Sequence, residues 1–215
     1  MPTATLTRIH LNRRHRAART DLADAVSLHK TLMRLVPDHL GPHPRARAHL
    51  LHRLETGPDP FLLVQTTYLP DLTALPPGYG TAHSHDLTPM LRALRPGLPV
   101  RYRITAAPTA SRIADAVPHP TTGRRRGKTI SLQGEAALAW WQRRATAAGL
   151  EVTTSWAAPR PFPRSSQDRP AVHHTLTQFD GTALITDPHA LTTAVLNGIG
   201  KGKPYGAGLL SLAPA

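Results

Sequence analysis

The sequence predicts an α+β chain in which one strand–helix–strand–strand unit is followed by a second of the same kind. Three observations lead there. Apolar residues recur at spacings of three and four over residues 21–36 and again over 135–148, the period of two amphipathic helices. Short β-rich runs flank each of these stretches, and Arg95-Pro96-Gly97 breaks the chain near its middle.

Taken in order, residues 3–11 are β-rich and imperfectly alternating, which suits a first strand. In 21–36, Leu22, Ala25, Val26, His29, Leu32, Met33 and Val36 share one face. Asp21 and Asp24 stand in the first turn, Lys30 and Arg34 further on, and Pro37 stops the helix, as its dipole favours. Residues 47–55 and 61–68 read as strands joined by a turn at Thr56-Gly57-Pro58-Asp59. Residues 71–80 are too rich in Pro and Gly to assign, and 86–94 fit a short helix or a strand.

Beyond the break, 100–105 reads as a strand and 108–128 as a loop. Residues 135–148 form a helix with Ala137, Trp140, Trp141 and Arg144 at helical spacing, closed by Gly149. A strand at 150–156 leads into a Pro/Arg/Ser-rich linker at 157–170. Residues 172–179 and 183–186 flank Asp180-Gly181, a hairpin signal. Asp187-Pro188 is an N-cap with proline at the first helical position, Asn197-Gly198 ends that helix, and 209–213 is a last strand. The economical architecture is two tandem ferredoxin-like (RRM-like, βαββαβ) domains, 1–94 and 95–215.

Composition narrows the partner. The 215 residues carry 26 Lys and Arg against 13 Asp and Glu, a net charge of +13 that favours a polyanion. Cysteine is absent, which excludes disulfide scaffolds, thiolate metal sites and thiol nucleophiles. No apolar run reaches membrane-spanning length, and the start lacks the apolar core of a signal peptide, so a cytoplasmic protein with no membrane partner is expected. The acidic residues are scattered, which argues against a two-metal nuclease. His83-x-His85 and His173-His174 lie near no acidic cluster, so no metal and no cofactor is assigned.

Three features carry chemistry. The first is the C-terminal loop, where Gly198, Gly200, Gly202, Gly206 and Gly208 alternate with Lys201 and Lys203. Glycines reach positive φ and let a ligand approach the backbone, while lysines supply point charges for phosphate. Neither G-x-G-x-x-G nor the Walker spacing fits: Lys203 and Tyr205 stand where a third glycine is needed, and no Ser or Thr follows a Gly-Lys pair. The second is the basic run Arg124, Arg125, Arg126 and Lys128, which reads as a basic hairpin gripping nucleic acid or as a solvated charge run. The third is His29 on the apolar stripe, either a half-buried packing histidine or a general acid or base, with Lys30 and Arg34 beside it to meet a phosphate.

These segments together resemble a known family. The stretch Ser27-Leu-His-Lys-Thr-Leu-Met-Arg-Leu-Val-Pro37, then Arg101-Tyr-Arg-Ile-Thr-Ala-Ala-Pro108 with Ala139-Trp-Trp-Gln-Arg-Arg144, and finally the glycine loop running into Leu209-Leu-Ser-Leu-Ala-Pro214 resemble the CasE-type CRISPR RNA endonucleases. Members of that family, within the RAMP superfamily, process the repeat for type I-E CRISPR surveillance complexes. The resemblance implies two ferredoxin-like domains and metal-independent cleavage of precursor CRISPR RNA beside its repeat hairpin. It also implies retention of the product stem-loop with the other subunits of the complex. His29 matches the family's catalytic histidine, with Lys30 or Arg34 expected to offset charge on the phosphate. Arg124, Arg125, Arg126 and Lys128 would hold the stem, and the glycine loop with its lysines the backbone. Family members often carry a tyrosine one turn before the histidine, where this chain has Val26. Either another group orients the reacting oxygen or the rate is lower. A non-catalytic RNA-holding subunit of the same fold is the alternative.

Overall fold

The amphipathic stretch that reads as one helix is two. In the computed structural model, which describes residues 4–118, 125–161 and 175–215, helix α1 (Arg16–Ala23) stops at Asp24 and α2 (Ala25–Met33) restarts at once. Asp24 takes an extended conformation, φ −134° and ψ 111°, and its carboxylate accepts the Val26 N–H at 2.8 Å. A short acidic side chain that satisfies a free N–H favours a cap over a mid-helix position. Asp24 is therefore the start of a second helix and not part of the first turn of one long one.

Around these helices the first half of the chain builds a sheet from β1 (Thr5–Leu11), β2 (Leu51–Glu55), β3 (Phe61–Thr66) and β4 (Gly80–Asp86), in the order β2-β3-β1-β4. The expected strand at 47–55 is shorter than predicted. Its start is a helical turn, α3 (Pro44–Arg47), set up by Pro44 and by positive φ at His43 and His49. Strand β4 falls in the Pro/Gly-rich stretch and just beyond it; a 3₁₀ turn (Leu72–Ala74) stands where this unit would carry its second helix. The ambiguous 86–94 segment resolves as helix α4 (Thr88–Ala93).

The second half repeats the plan. Strands β5 (Pro99–Ala106), β8 (Leu150–Arg160), β9 (Leu176–Ile185) and β10 (Leu210–Pro214) form a sheet in the order β10-β5-β9-β8, with α5 (Gly134–Ala147) and α6 (Pro188–Asn197) as its crossovers. Numbered within each unit, both sheets run second, third, first, fourth, and every pairing is antiparallel. This is the tandem ferredoxin-like plan. The expected loop 108–128 instead contains strands β6 (Thr109–Pro118) and β7 (Arg125–Ser131), paired with each other in a separate ribbon.

The hairpin expected at Asp180-Gly181 does not form, because both residues lie inside the continuous strand β9. Gly181 is there for close approach: a Cβ would collide with the Thr154 carbonyl oxygen of β8, where the register shifts between Val152 and Thr154. Asp187 does cap α6, accepting the His189 and Ala190 N–H groups at 2.9 and 3.0 Å.

Each sheet has its own core. Ile9, Leu28, Leu32, Leu50, Leu62 and Tyr79 fill the first, and Tyr102, Ile104, Trp141, Phe179, Ile185 and Leu191 the second. Trp141 stacks on Phe179 at 5.7 Å and 19°. Polar side chains stitch the halves together. Arg53 Nη1 donates to the carbonyls of Arg103 and Leu209 at 3.1 Å, and Gln65 Nε2 donates to the Val195 carbonyl at 2.8 Å. No helix among the described residues is long and apolar enough to cross a membrane.

Candidate functional site

The phase of α2 sets the site. Leu28 and Leu32 turn into the core, which leaves His29 half-buried at the edge of the stripe and Lys30 and Arg34 exposed. The helix is pinned from behind by Asp21, 2% exposed, which accepts from Ser27 Oγ at 2.6 Å and from Tyr79 Oη at 2.8 Å. A buried carboxylate with two donors is satisfied, so it locks the α1–α2 joint.

Around His29 the fold gathers residues far apart in sequence. Arg45 comes from α3 and is anchored through its Nη1 to the Leu50 carbonyl at 3.1 Å. Tyr205 comes from the 3₁₀ turn Lys203–Tyr205 inside the glycine loop, and its ring centroid lies 6.4 Å from that of His29. His52, on β2, is fully buried below the turn. A Cβ on Gly206 would stand 3.4 Å from its Nε2. Behind the turn lies a cavity of about 170 Å³, walled by Leu22, Ala25, Leu28, His52, Arg53, Arg160 and Tyr205 among others.

The electrostatics follow from burial and like charge. Burial, then the nearby Arg45 guanidinium, holds the His29 pKa below its ordinary value, so the ring is neutral at pH 7. The same burial lowers Arg45, and burial with Arg45 lowers Lys203. His52 is pushed down to about 3 by burial, His29 and Arg45. Among the described residues no carboxylate forms an ion pair with Arg45 or Lys203. Two partly desolvated cations without a counter-charge, next to a neutral imidazole, form a site whose charge an anion would balance.

The glycine loop takes the conformation its composition calls for: all five glycines have positive φ, from 71° at Gly198 to 93° at Gly208. Two of its amides close the loop on itself and a third ties it to β5. Ile199 N–H donates to Gly208, Tyr205 N–H to Gly202, and Gly208 N–H to Thr105, at 3.0, 2.9 and 2.7 Å. A phosphate approaching this loop meets the side chains of exposed Lys201 and half-buried Lys203.

The predicted residues therefore divide. His29 and Lys203 are brought to one place, electrostatically linked through Arg45. Lys30 lies on the solvent side of α2 and Arg34 is exposed at its C-cap. Arg125, Arg126 and Lys128 lie on β7, opposite Pro118, Val117 and Arg112 of β6, and Arg124 is outside the described residues. Of the two histidine pairs, His83 and His85 are on β4 and both exposed, and His173-His174 are outside the described residues. Sequence reasoning misses Arg45, His52 and Tyr205. Arg45 and His52 fall in or beside a segment read as an ordinary strand; Tyr205, the loop's one aromatic, was the available signal.

A family model described as CRISPR associated protein matches residues 6–214. The CRISPR-associated endoribonuclease Cse3 of Thermus thermophilus is 32% identical, over 97% of this chain and 99% of that protein. The structure of Thermus thermophilus Cse3 bound to an RNA representing a pre-cleavage complex superposes with a TM-score of 0.80 at 30% identity, covering 99% of this chain and all of that one. A chain of a CRISPR RNA-guided surveillance complex in a pre-nicking state matches at 35% identity and a TM-score of 0.65, over 98% of this chain and all of that one.

Proposed function

The chain belongs to the CRISPR-associated protein family, and from that premise we propose that it is the endoribonuclease that cuts precursor CRISPR RNA within the repeat, beside the repeat hairpin. It then stays on the 3′ stem-loop as a subunit of a type I-E surveillance complex, in the cytoplasm. The observation that carries the reading is the half-buried, neutral His29 beside Arg45 and Lys203, two cations with no carboxylate ion pair among the described residues.

RNA brings its own nucleophile, the 2′-hydroxyl next to the scissile phosphate. A neutral imidazole accepts that proton, the 2′-oxygen attacks phosphorus, and the bond to the 5′-oxygen breaks as that oxygen takes up a proton. The products are a 2′,3′-cyclic phosphate (or the 3′-phosphate) and a 5′-hydroxyl. His29 Nδ1 is closed to solvent, which leaves Nε2 to meet the RNA. Base catalysis of this kind contributes about 10²–10⁴-fold. Arg45 and Lys203 offset the charge that builds on the phosphorane, preorganised by partial burial. Lys30, exposed on α2, and Arg34, exposed at its C-cap, take the adjoining phosphates. Arg124, Arg125, Arg126 and Lys128 grip the stem, where the deep A-form groove makes phosphate and shape contacts the readout. Lys201 and the glycines 198, 200, 202, 206 and 208 hold the backbone at the cleft. The division into domains 1–94 and 95–215 is part of the same reading, with the histidine in the first and the glycine loop in the second.

The test is cleavage of a repeat hairpin RNA in EDTA by wild type and His29→Ala, with binding measured in parallel. The expected result is a single cut by wild type, and binding without cutting by the variant. Tight binding by both with no cut from either would make the protein an RNA-holding subunit instead.

A further inference from the structure

A catalytic imidazole is usually oriented by a hydrogen bond on its far nitrogen. His29 lacks one: its Nδ1 is buried and has no hydrogen-bond partner among the described residues. Helix α2 supplies no substitute, since Val26 one turn earlier is apolar and Ser27 donates to Asp21. The ring is held by packing, and the packing partner that the geometry identifies is Tyr205.

We propose that Tyr205 is the positioning residue for His29: its ring, clamped in the 202–206 turn, walls the imidazole so that Nδ1 stays dry and Nε2 faces the RNA. This rests on the proposed catalytic role of His29. The two rings lie 6.4 Å apart at 59°, a tilted contact. The turn that delivers Tyr205 is stiff. Gly202 and Gly206 flank it at φ 80° and 87°, Pro204 fixes one residue inside it, and Tyr205 N–H closes it onto the Gly202 carbonyl at 2.9 Å. Its underside rests on buried His52. Read as sequence, the glycine loop is a phosphate cradle. Its geometry also makes it the frame that seats an aromatic ring against a histidine on another element.

The wall has an electrostatic consequence. Among the described residues, the charged or titratable groups around His29 are Arg45 from α3, Lys203 of the same turn, His52 from β2 and Tyr205 itself, while Lys30 on α2 points to solvent. Burial is the larger cause of the lowered His29 pKa, and the Tyr205 ring contributes to that burial. Removing the ring admits water, so His29 titrates nearer its ordinary value.

The experiment is single-turnover cleavage of the repeat hairpin across pH for wild type, Tyr205→Ala, Tyr205→Phe and His29→Ala. An NMR titration of the His29 ring, assigned by its absence from His29→Ala, accompanies it. Tyr205→Ala is expected to bind RNA normally, cut roughly 10–100-fold more slowly, and titrate at higher pH than wild type. Tyr205→Phe should keep the wild-type rate and midpoint. If Tyr205→Ala unfolds the turn, Tyr205→Leu, which keeps apolar bulk but not the flat ring, carries the same comparison. An unchanged rate and midpoint without the ring would overturn the proposal, and so would a Tyr205→Phe as slow as Tyr205→Ala. Cleavage by His29→Ala at the wild-type rate would instead overturn the catalytic role of His29, whatever Tyr205 does.

Discussion

Among single residues, His52 behaves far from its ordinary chemistry. It is 1% exposed, and its pKa is driven down to about 3, first by burial and then by the positive charge of His29 and Arg45. Between pH 6.5 and 3 the unfolded chain therefore binds a proton that the folded chain refuses. Stability must fall as pH drops through that window, by about 1.4 kcal/mol per unit from this one group. Urea unfolding at pH 7 and pH 5 should show the loss, and His52→Phe should remove most of it. An equally steep loss in His52→Phe would assign the acid sensitivity elsewhere. His29 was legible in the sequence because it interrupts an apolar stripe at helical spacing. His52 was not, because one histidine in a strand says nothing of what lies above it. Burial there depends on a glycine turn more than 150 residues further along the chain.

At the scale of elements, the readings that held were those with a local physical cause. Asp187-Pro188 and Gly198 bound α6 as capping chemistry requires, and the glycine loop has the positive φ values its composition implies. The readings that failed turn on partners. Asp180-Gly181 has the composition of a hairpin turn, yet in β9 the glycine is needed by the neighbouring strand and not by its own backbone. Its missing side chain leaves room for the Thr154 carbonyl and for Tyr102 Oη, which donates to that same oxygen at 3.0 Å. Gly181→Ala should therefore destabilise by about 1–3 kcal/mol through overpacking, read as a lower urea midpoint. A turn residue of ordinary conformation would tolerate alanine, so an unchanged midpoint would contradict the strand assignment. Likewise the break between α1 and α2 was written in Asp24, but the same residue is also favourable in a helix's first turn. Sequence spacing did not separate the two.

In the molecule as a whole, the repetition of one unit was visible in the sequence, and both sheets share one strand order. The insertion of β6–β7 was visible only in part, as a basic hairpin at residues 124–128 within a stretch otherwise read as a loop. The stitching of the two halves was not visible, since it depends on contacts across more than one unit. Arg53 is the clearest stitch: it is 3% exposed, donates to Glu55 at 2.7 Å, and reaches two carbonyls of the second half. Arg53→Met leaves Glu55 to weaker contacts with Arg103 and Arg160, at 3.6 and 3.5 Å, and takes a donor away from the part-buried Arg103 carbonyl and the buried Leu209 carbonyl. Removing one partner of a buried pair costs about 3–5 kcal/mol. A lower unfolding midpoint is expected, and an unchanged one would show that the halves are held by other means. Net charge of +13 ties the same assembly to its polyanionic substrate, with affinity that falls steeply with salt. On the proposed mechanism this assembly cuts RNA by using the RNA's own 2′-hydroxyl. The direct measurement is cleavage and binding of a repeat hairpin carrying a single 2′-deoxy nucleotide at the cut site. Binding like that of the all-ribose hairpin without cleavage is expected; cutting at the deoxy site would overturn the mechanism.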